Sequence, residues 1–428
     1  MKRIIINIIT VFTLSALWIG VCFFGTTSGW WHSPISEKKD TQSFIEAVNK
    51  ELNNEFVGNF AMAIIKEGKI DKEIYYSEGK PVTRKTIFQV ASLSKLVSAI
   101  GIMKLRELGK IDLDTPVSQY LTRWKLPPSE FDNEKVTTRR LLSHTAGLTD
   151  GLGYSGFETQ DSVQTLEASL TKASDADEGR SGEVKVGIEP NSSWEYSGGG
   201  FTLLQLLVEE TSGQTFDEFM KENIFHPLNM TKSTYKWSET LNNNLCEFYN
   251  EDGSRAPHFY YTSLAATSLY TSIEDLEKFF VLFSNKENLA DNTPLSQNSL
   301  RLMRESHGEM MGAAIYGLGT FLYVDIGNDD YIIGHDGKST PPINTALRIN
   351  PITGDGIVVL ETGNPYLATQ LASDWVFLKT GKVDPLLFSM LQDKMVKMIA
   401  IGIFLITLVV IVMGIWRKKN TSNKEHTK

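Results

Sequence analysis

Phe88-Gln89-Val90-Ala91-Ser92-Leu93-Ser94-Lys95-Leu96-Val97-Ser98-Ala99-Ile100 is the stretch on which the reading of this chain depends. It sets a hydroxyl and an amine three residues apart at the start of an apolar run of helical length. Residues three apart on a helix are surface neighbours, so the Lys95 amine can reach the Ser92 hydroxyl. Acyl transfer through a serine ester needs that pairing of nucleophile and base. The spacing by itself is not selective, because Ser36/Lys39, Ser77/Lys80, Ser169/Lys172 and Ser233/Lys236 repeat it. Those four lie in charged or turn-like stretches. Ser92 instead stands between a strand-like run and a predicted long amphipathic helix.

Outward from this segment, 428 residues with 41% hydrophobic and 22% charged side chains read as globular, neither disordered nor fibrous. The two ends differ in kind from the middle. Met398 to Trp416 is nineteen residues without a charge, followed by Arg417-Lys418-Lys419. Such a length spans a bilayer as a helix, so residues 396–417 are expected to form a transmembrane helix and 418–428 a basic cytoplasmic tail. Ile4 to Phe24 is nearly as apolar and follows Lys2-Arg3. Residues 1–28 therefore read either as a signal peptide, cut near Gly25-Thr26-Thr27-Ser28-Gly29, or as a retained membrane anchor. Basic residues mark cytoplasmic flanks, and here they lie outside both apolar runs, so the region 29–388 is expected to be extracytoplasmic.

That middle region is acidic: residues 4–416 carry 35 basic and 50 acidic side chains, a net charge of −15. The balance argues against nucleic acid or an anionic polymer as ligand. Cys22 and Cys246 are the two cysteines and are far apart. With no His-Glu-x-x-His motif, no metal and no cofactor is expected.

A helix is predicted from Thr41 to Leu52, then a hairpin of Phe60–Lys66 and Glu73–Ser77 turning at Glu67-Gly68-Lys69. Helices and loops follow, including predicted helices at Phe201–Glu210 and Asp275–Phe283 and an exposed loop at Asp175–Lys185. Strands return at Thr320–Val324, Tyr331–Gly334, Thr345–Asn350 and Gly356–Glu361. Strands at both ends with helices between predict one sheet assembled from the two chain ends, the middle forming a helical lobe.

Three elements stand in order along this frame: Ser92-x-x-Lys95, Tyr196-Ser197-Gly198 and His335-Asp336-Gly337. The chain resembles the serine beta-lactamase and penicillin-binding protein superfamily, in its class C and low-molecular-weight DD-peptidase branch. That family's motifs are S-x-x-K, Y-x-N and K-T-G or H-x-G. Leu141 to Leu148, Pro190 to Gly200, His226-Pro227-Leu228-Asn229-Met230, Ala265 to Phe280 and Tyr316-Gly317-Leu318-Gly319 extend the likeness, which covers about Phe60 to Gly363. The resemblance implies an α/β (α+β) fold, with an antiparallel sheet packed with helices on an all-helical lobe and the active site between them.

It also implies roles. Ser92 would be the nucleophile, Lys95 its base and Tyr196 the proton relay. His335 would bond Tyr196 or a substrate carboxylate. The backbone N–H groups of Ser92 and Lys338 would form the oxyanion hole, with Gly198 and Gly337 bordering the substrate. Gly198 replaces the family's Asn and His335 the usual lysine, which leaves the substrate open. A peptide or ester containing D-amino acids, or a beta-lactam, is the expected class, with a beta-lactamase or general esterase as alternatives. A slow-acylating surface binding protein or sensor is the non-enzymatic reading. Asp336, Trp194, Phe259-Tyr260-Tyr261 and the lone histidines His144, His226, His258 and His307 are read as structural.

Overall fold

The computed structural model describes residues 2–38, 40–54, 56–150, 153–283 and 293–425, with side chains described from Ile4 to Arg417. Lys39 of the Ser36/Lys39 pair and residues 426–428 of the expected tail lie outside them. The chain divides into two units, Asp40–Trp375 and the paired ends Met1–Lys39 and Val376–Lys428.

The larger unit is built on eight strands: β1 Asn59–Lys66, β2 Lys69–Ser77, β3 Gly308–Met310, β4 Ala313–Tyr316, β5 Phe321–Gly327, β6 Asp330–Ser339, β7 Ile343–Asn350 and β8 Asp355–Thr362. They form one antiparallel sheet in the order β2-β1-β8-β7-β6-β5-β4-β3. The two chain ends meet where β1 pairs with β8, Asn59 opposite Thr362 and Ile65 opposite Gly356. Every residue of β1 but Lys66 is buried, which is why its sequence is continuously apolar rather than alternating. The β1–β2 turn has Glu67 at φ 50° and Gly68 at φ 79°, the left-handed pair that a two-residue hairpin loop demands.

Twelve α-helices occur among the described residues, of which seven are labelled here: α1 Lys2–Thr27, α2 Thr41–Asn54, α3 Ser94–Glu107, α4 Gly198–Ser212, α5 Ile273–Phe280, α6 Leu367–Thr380 and α7 Pro385–Glu425. The expected amphipathic helix after Ser92 is corrected by α3. Eleven of its residues are buried, Ser94, Lys95 and Ser98 among them; a helix at the centre of a core is enclosed on all sides. α3 and α4 with shorter helices form the lobe between β2 and β3. The Asp175–Lys185 stretch is irregular, as its glycines suggested, yet Asp175 and Val184 are buried rather than exposed. β6 extends past the expected Gly334 to Ser339, so His335-Asp336-Gly337 lies inside a strand.

In the smaller unit α1 and α7 lie side by side, and both are long and apolar enough to cross a membrane: the most apolar stretches within Ile4–Thr27 and Pro385–Arg417 have mean hydropathies of 2.3 and 3.0. The Trp18 indole N–H donates to the Met398 carbonyl (3.0 Å). A Cβ at Gly402 would lie 1.8 Å from that indole nitrogen, so glycine opens the notch the ring fills.

Candidate active site

Ser92 sits not in α3 but in the single 3₁₀ turn Ala91–Leu93 just before it. The turn is strained: Ala91 has φ 46°, a region side-chain-bearing residues seldom adopt. It is clamped from both sides. The Ser94 hydroxyl donates to Ala91 O (2.5 Å) and accepts the Leu269 N–H (2.9 Å). From the sheet, the Thr345 hydroxyl of β7 donates to Val90 O (2.8 Å).

One turn further, Lys95 is fully buried. Its Nζ is 3.1 Å from Ser92 Oγ and donates to Ala266 O at 3.0 Å. It lies 4.9 Å over the Tyr196 ring and 5.7 Å over Phe201. Burial pushes the Lys95 amine down to about 7, against the opposing pull of the Asp150 carboxylate. An amine at that value is substantially neutral at physiological pH.

Tyr196 ends the loop entering α4, and its phenol is in hydrogen-bond reach of Ser92. Burial raises the phenol's pKa, the Ser92 contact opposing. His144, which the sequence marks only as structural, and Asp150, which it does not single out, hold this loop. His144 accepts the Ser197 N–H on Nδ1 (3.1 Å), its carbonyl accepts the Glu195 N–H (2.8 Å), and its ring packs 4.4 Å from that of Tyr196. Asp150, 8% exposed, accepts the Ser197 hydroxyl (2.5 Å) and the Gly199 N–H (2.8 Å). Ser197 Oγ in turn accepts the Gly200 N–H (2.8 Å) as N-cap. The buried Gly198 opens this helix. His144 stands in the quoted Leu141–Leu148 segment, the one signal that could have marked it; Asp150 had none.

His335 is brought to the site but bonded otherwise than expected. Its Nδ1 meets the Asp336 carbonyl (2.6 Å) and its Nε2 the Tyr316 phenol (3.1 Å). A carbonyl only accepts, so the network assigns the proton to Nδ1 and makes Nε2 the acceptor of the Tyr316 hydroxyl. The expected bond to Tyr196 is absent from this arrangement; the two rings are 6.1 Å apart. Burial holds His335 down at about 3, which favours the neutral imidazole. Tyr316 and Phe321 complete an aromatic wall with Tyr196 and His144.

Gly337 has a packing reason as well. A Cβ there would lie 2.2 Å from Val90 O and 3.1 Å from Ser92 N; glycine lets β6 press against the Ser92 turn. Gly334 N–H and C=O both meet Thr320 Oγ1 (3.1 and 3.0 Å) on the β5 side, whereas Gly337 O meets Asn344 Nδ2 of β7 (3.2 Å). Alternation along the strand therefore turns the Lys338 N–H to the β5 side. The β5 ladder stops at Gly334, so that edge is open at Lys338. The Lys338 amine projects to the other sheet face, 3.9 Å from the Tyr366 ring centre. Asp336 is structural as read, bonding the Tyr323 hydroxyl (2.7 Å) and the buried Arg348 guanidinium. Among the described residues no group of three or more His, Cys, Asp or Glu is placed to hold a metal.

A sheet and helical lobe meeting at a serine, a buried lysine and a tyrosine define a penicillin-binding protein-like serine hydrolase fold. Comparison with known proteins agrees: the chain belongs to the Beta-lactamase family, which matches residues 52–376. It is 24% identical to "Protein flp" of Staphylococcus aureus (strain NCTC 8325 / PS 47) over 76% of this chain and 64% of that protein, so it spans less than two thirds of that relative. A 157-residue stretch is 34% identical to "Penicillin-binding protein 4*" of Bacillus subtilis (strain 168), covering 37% of this chain and 32% of that one. The octameric penicillin-binding protein homologue from Pyrococcus abyssi superimposes with a TM-score of 0.66 and 25% identity, over 80% and 78% of the two chains.

Proposed function

We propose that the protein is a membrane-tethered extracytoplasmic serine hydrolase that cleaves amide or ester bonds next to D-amino acids through an acyl-enzyme at Ser92. The observation that carries the reading is the 3.1 Å approach of Lys95 Nζ to Ser92 Oγ, with that amine fully buried and held near 7. Neutral Lys95 takes the hydroxyl proton as Ser92 Oγ bonds to the carbonyl carbon. The oxyanion is met by the N–H groups of Ser92 and Lys338. As the bond to the leaving group breaks, the Tyr196 phenol passes a proton to the departing nitrogen or oxygen and is reprotonated from Lys95. Water then cleaves the ester by the reverse path. Membership of the Beta-lactamase family and the likeness to penicillin-binding proteins support D-residue substrates. The two apolar helices support the tether.

Intact-mass analysis of the full chain in detergent, after incubation with penicillin and separately with a fluorophosphonate, tests this. An adduct with at least one of the two reagents on the wild type, lost in Ser92→Ala, is expected; no adduct with either overturns it. Turnover of an N-acyl-D-alanyl ester separates the readings that share an acyl-enzyme: repeated turnover marks an enzyme, release of a single equivalent a binder or sensor.

A further inference from the structure

If Tyr196 delivers the proton to the leaving group, that group lies against the wall formed by Tyr196, Phe321, His335 and Tyr316 (ring centres 4.8 to 6.4 Å apart). Among the described residues, none brings an available positive charge to this wall. Both imidazole nitrogens of His335 are occupied, one by the Asp336 carbonyl and one by the Tyr316 hydroxyl. The ionic groups acting on His335 are Lys95, Asp336 and Arg348. Arg348 is sealed beneath the sheet and paired with Asp336. The Lys338 amine sits over Tyr366 on the opposite face. Lys95 is committed to Ser92 and the Ala266 carbonyl. A carboxylate on the leaving group would be desolvated against aromatic rings with no partner among the described residues. It would also favour the charged form of Lys95, the form that cannot act as base.

We propose that the leaving-group side of the Ser92 site takes uncharged groups and discriminates against a free carboxylate next to the scissile bond. The substrate class is then an ester, a primary or secondary amide, or an internal peptide bond, rather than the last residue of a peptide with its terminal carboxylate. This rests on Ser92 acyl transfer as proposed above.

The test uses the full chain in detergent and two N-acyl-D-alanyl esters, of 3-hydroxybenzamide and of 3-hydroxybenzoate, which differ in that one charge. The expected result is a kcat/KM at least tenfold higher for the benzamide. Equal values, or a preference for the benzoate, overturn the proposal. Turnover of neither ester, with Ser92 still labelled by a fluorophosphonate, overturns it too; absence of labelling overturns instead the assignment of Ser92. His335→Lys places an ammonium group on the wall and is expected to shift the ratio tenfold or more towards the benzoate. A residue with a purely structural role would lower both rates together and leave the ratio unmoved. Should that variant fail to fold, the wild-type ratio decides alone.

Discussion

An amine that is to take a proton from Ser92 must itself be unprotonated, and Lys95 reaches that state by burial rather than through a neighbouring cation. The folded-state value is lowered to about 7, so the base is lost as pH falls through 7. The acid limb of kcat/KM is therefore expected near pH 7, measured on a neutral ester; a limb near 4, or none, would remove Lys95 from the role. His335, held at about 3, adds no limb in that range. Asp150 pulls the Lys95 value up, so Asp150→Asn should move the limb to lower pH. His144 makes a separate prediction. His144→Phe keeps the ring against Tyr196 but leaves the buried Ser197 N–H without an acceptor, a loss of about 1–3 kcal/mol. Denaturant unfolding should show it, with turnover falling in step.

At the scale of elements, the site is where β6, the turn before α3 and the entry to α4 press together. Gly337 is the contact point, since a Cβ would overlap Val90 O. Gly337→Ala is expected to force β6 off the Ser92 turn, costing about 1–3 kcal/mol in stability. Displacing the oxyanion edge by about 1 Å should slow acylation about 100-fold. Thermal unfolding and stopped-flow acylation read the two effects; an unchanged acylation rate would mean that the edge plays no part. The elements themselves were largely legible. Continuous apolar runs marked β1 and β8, and Glu67-Gly68-Lys69 marked the hairpin that joins β1 to β2. The reading missed that α3 is enclosed on all sides, because periodicity reports one covered face, and a helix covered on every face loses its stripe. It also stopped β6 at Gly334, since polar His335-Asp336 interrupts the apolar pattern that a strand buried by tertiary contacts can tolerate.

For the whole molecule, α1 and α7 are each apolar enough to span, and their basic flanks lie at the two chain termini. The chain is expected to sediment with membranes, to need detergent rather than salt for release, and to keep residues 1–27 in the mature protein because Trp18 fills the Gly402 notch. Protease added to intact cells should digest the middle and spare tags at both ends; digestion of either tag would reverse the topology. The sequence by itself determined the sheet built from both chain ends, the helical lobe between, the apolar termini and the Ser92–Lys95 pair, because periodicity, turn residues and i,i+3 spacing are local. Only the tertiary structure decided the rest. Burial lowered Lys95, the folding of distant segments set His144 and Asp150 behind Tyr196, and the register of β6 turned His335 onto Tyr316. Each depends on which groups, remote in the chain, exclude water from one another, and spacing along the chain carries no record of that.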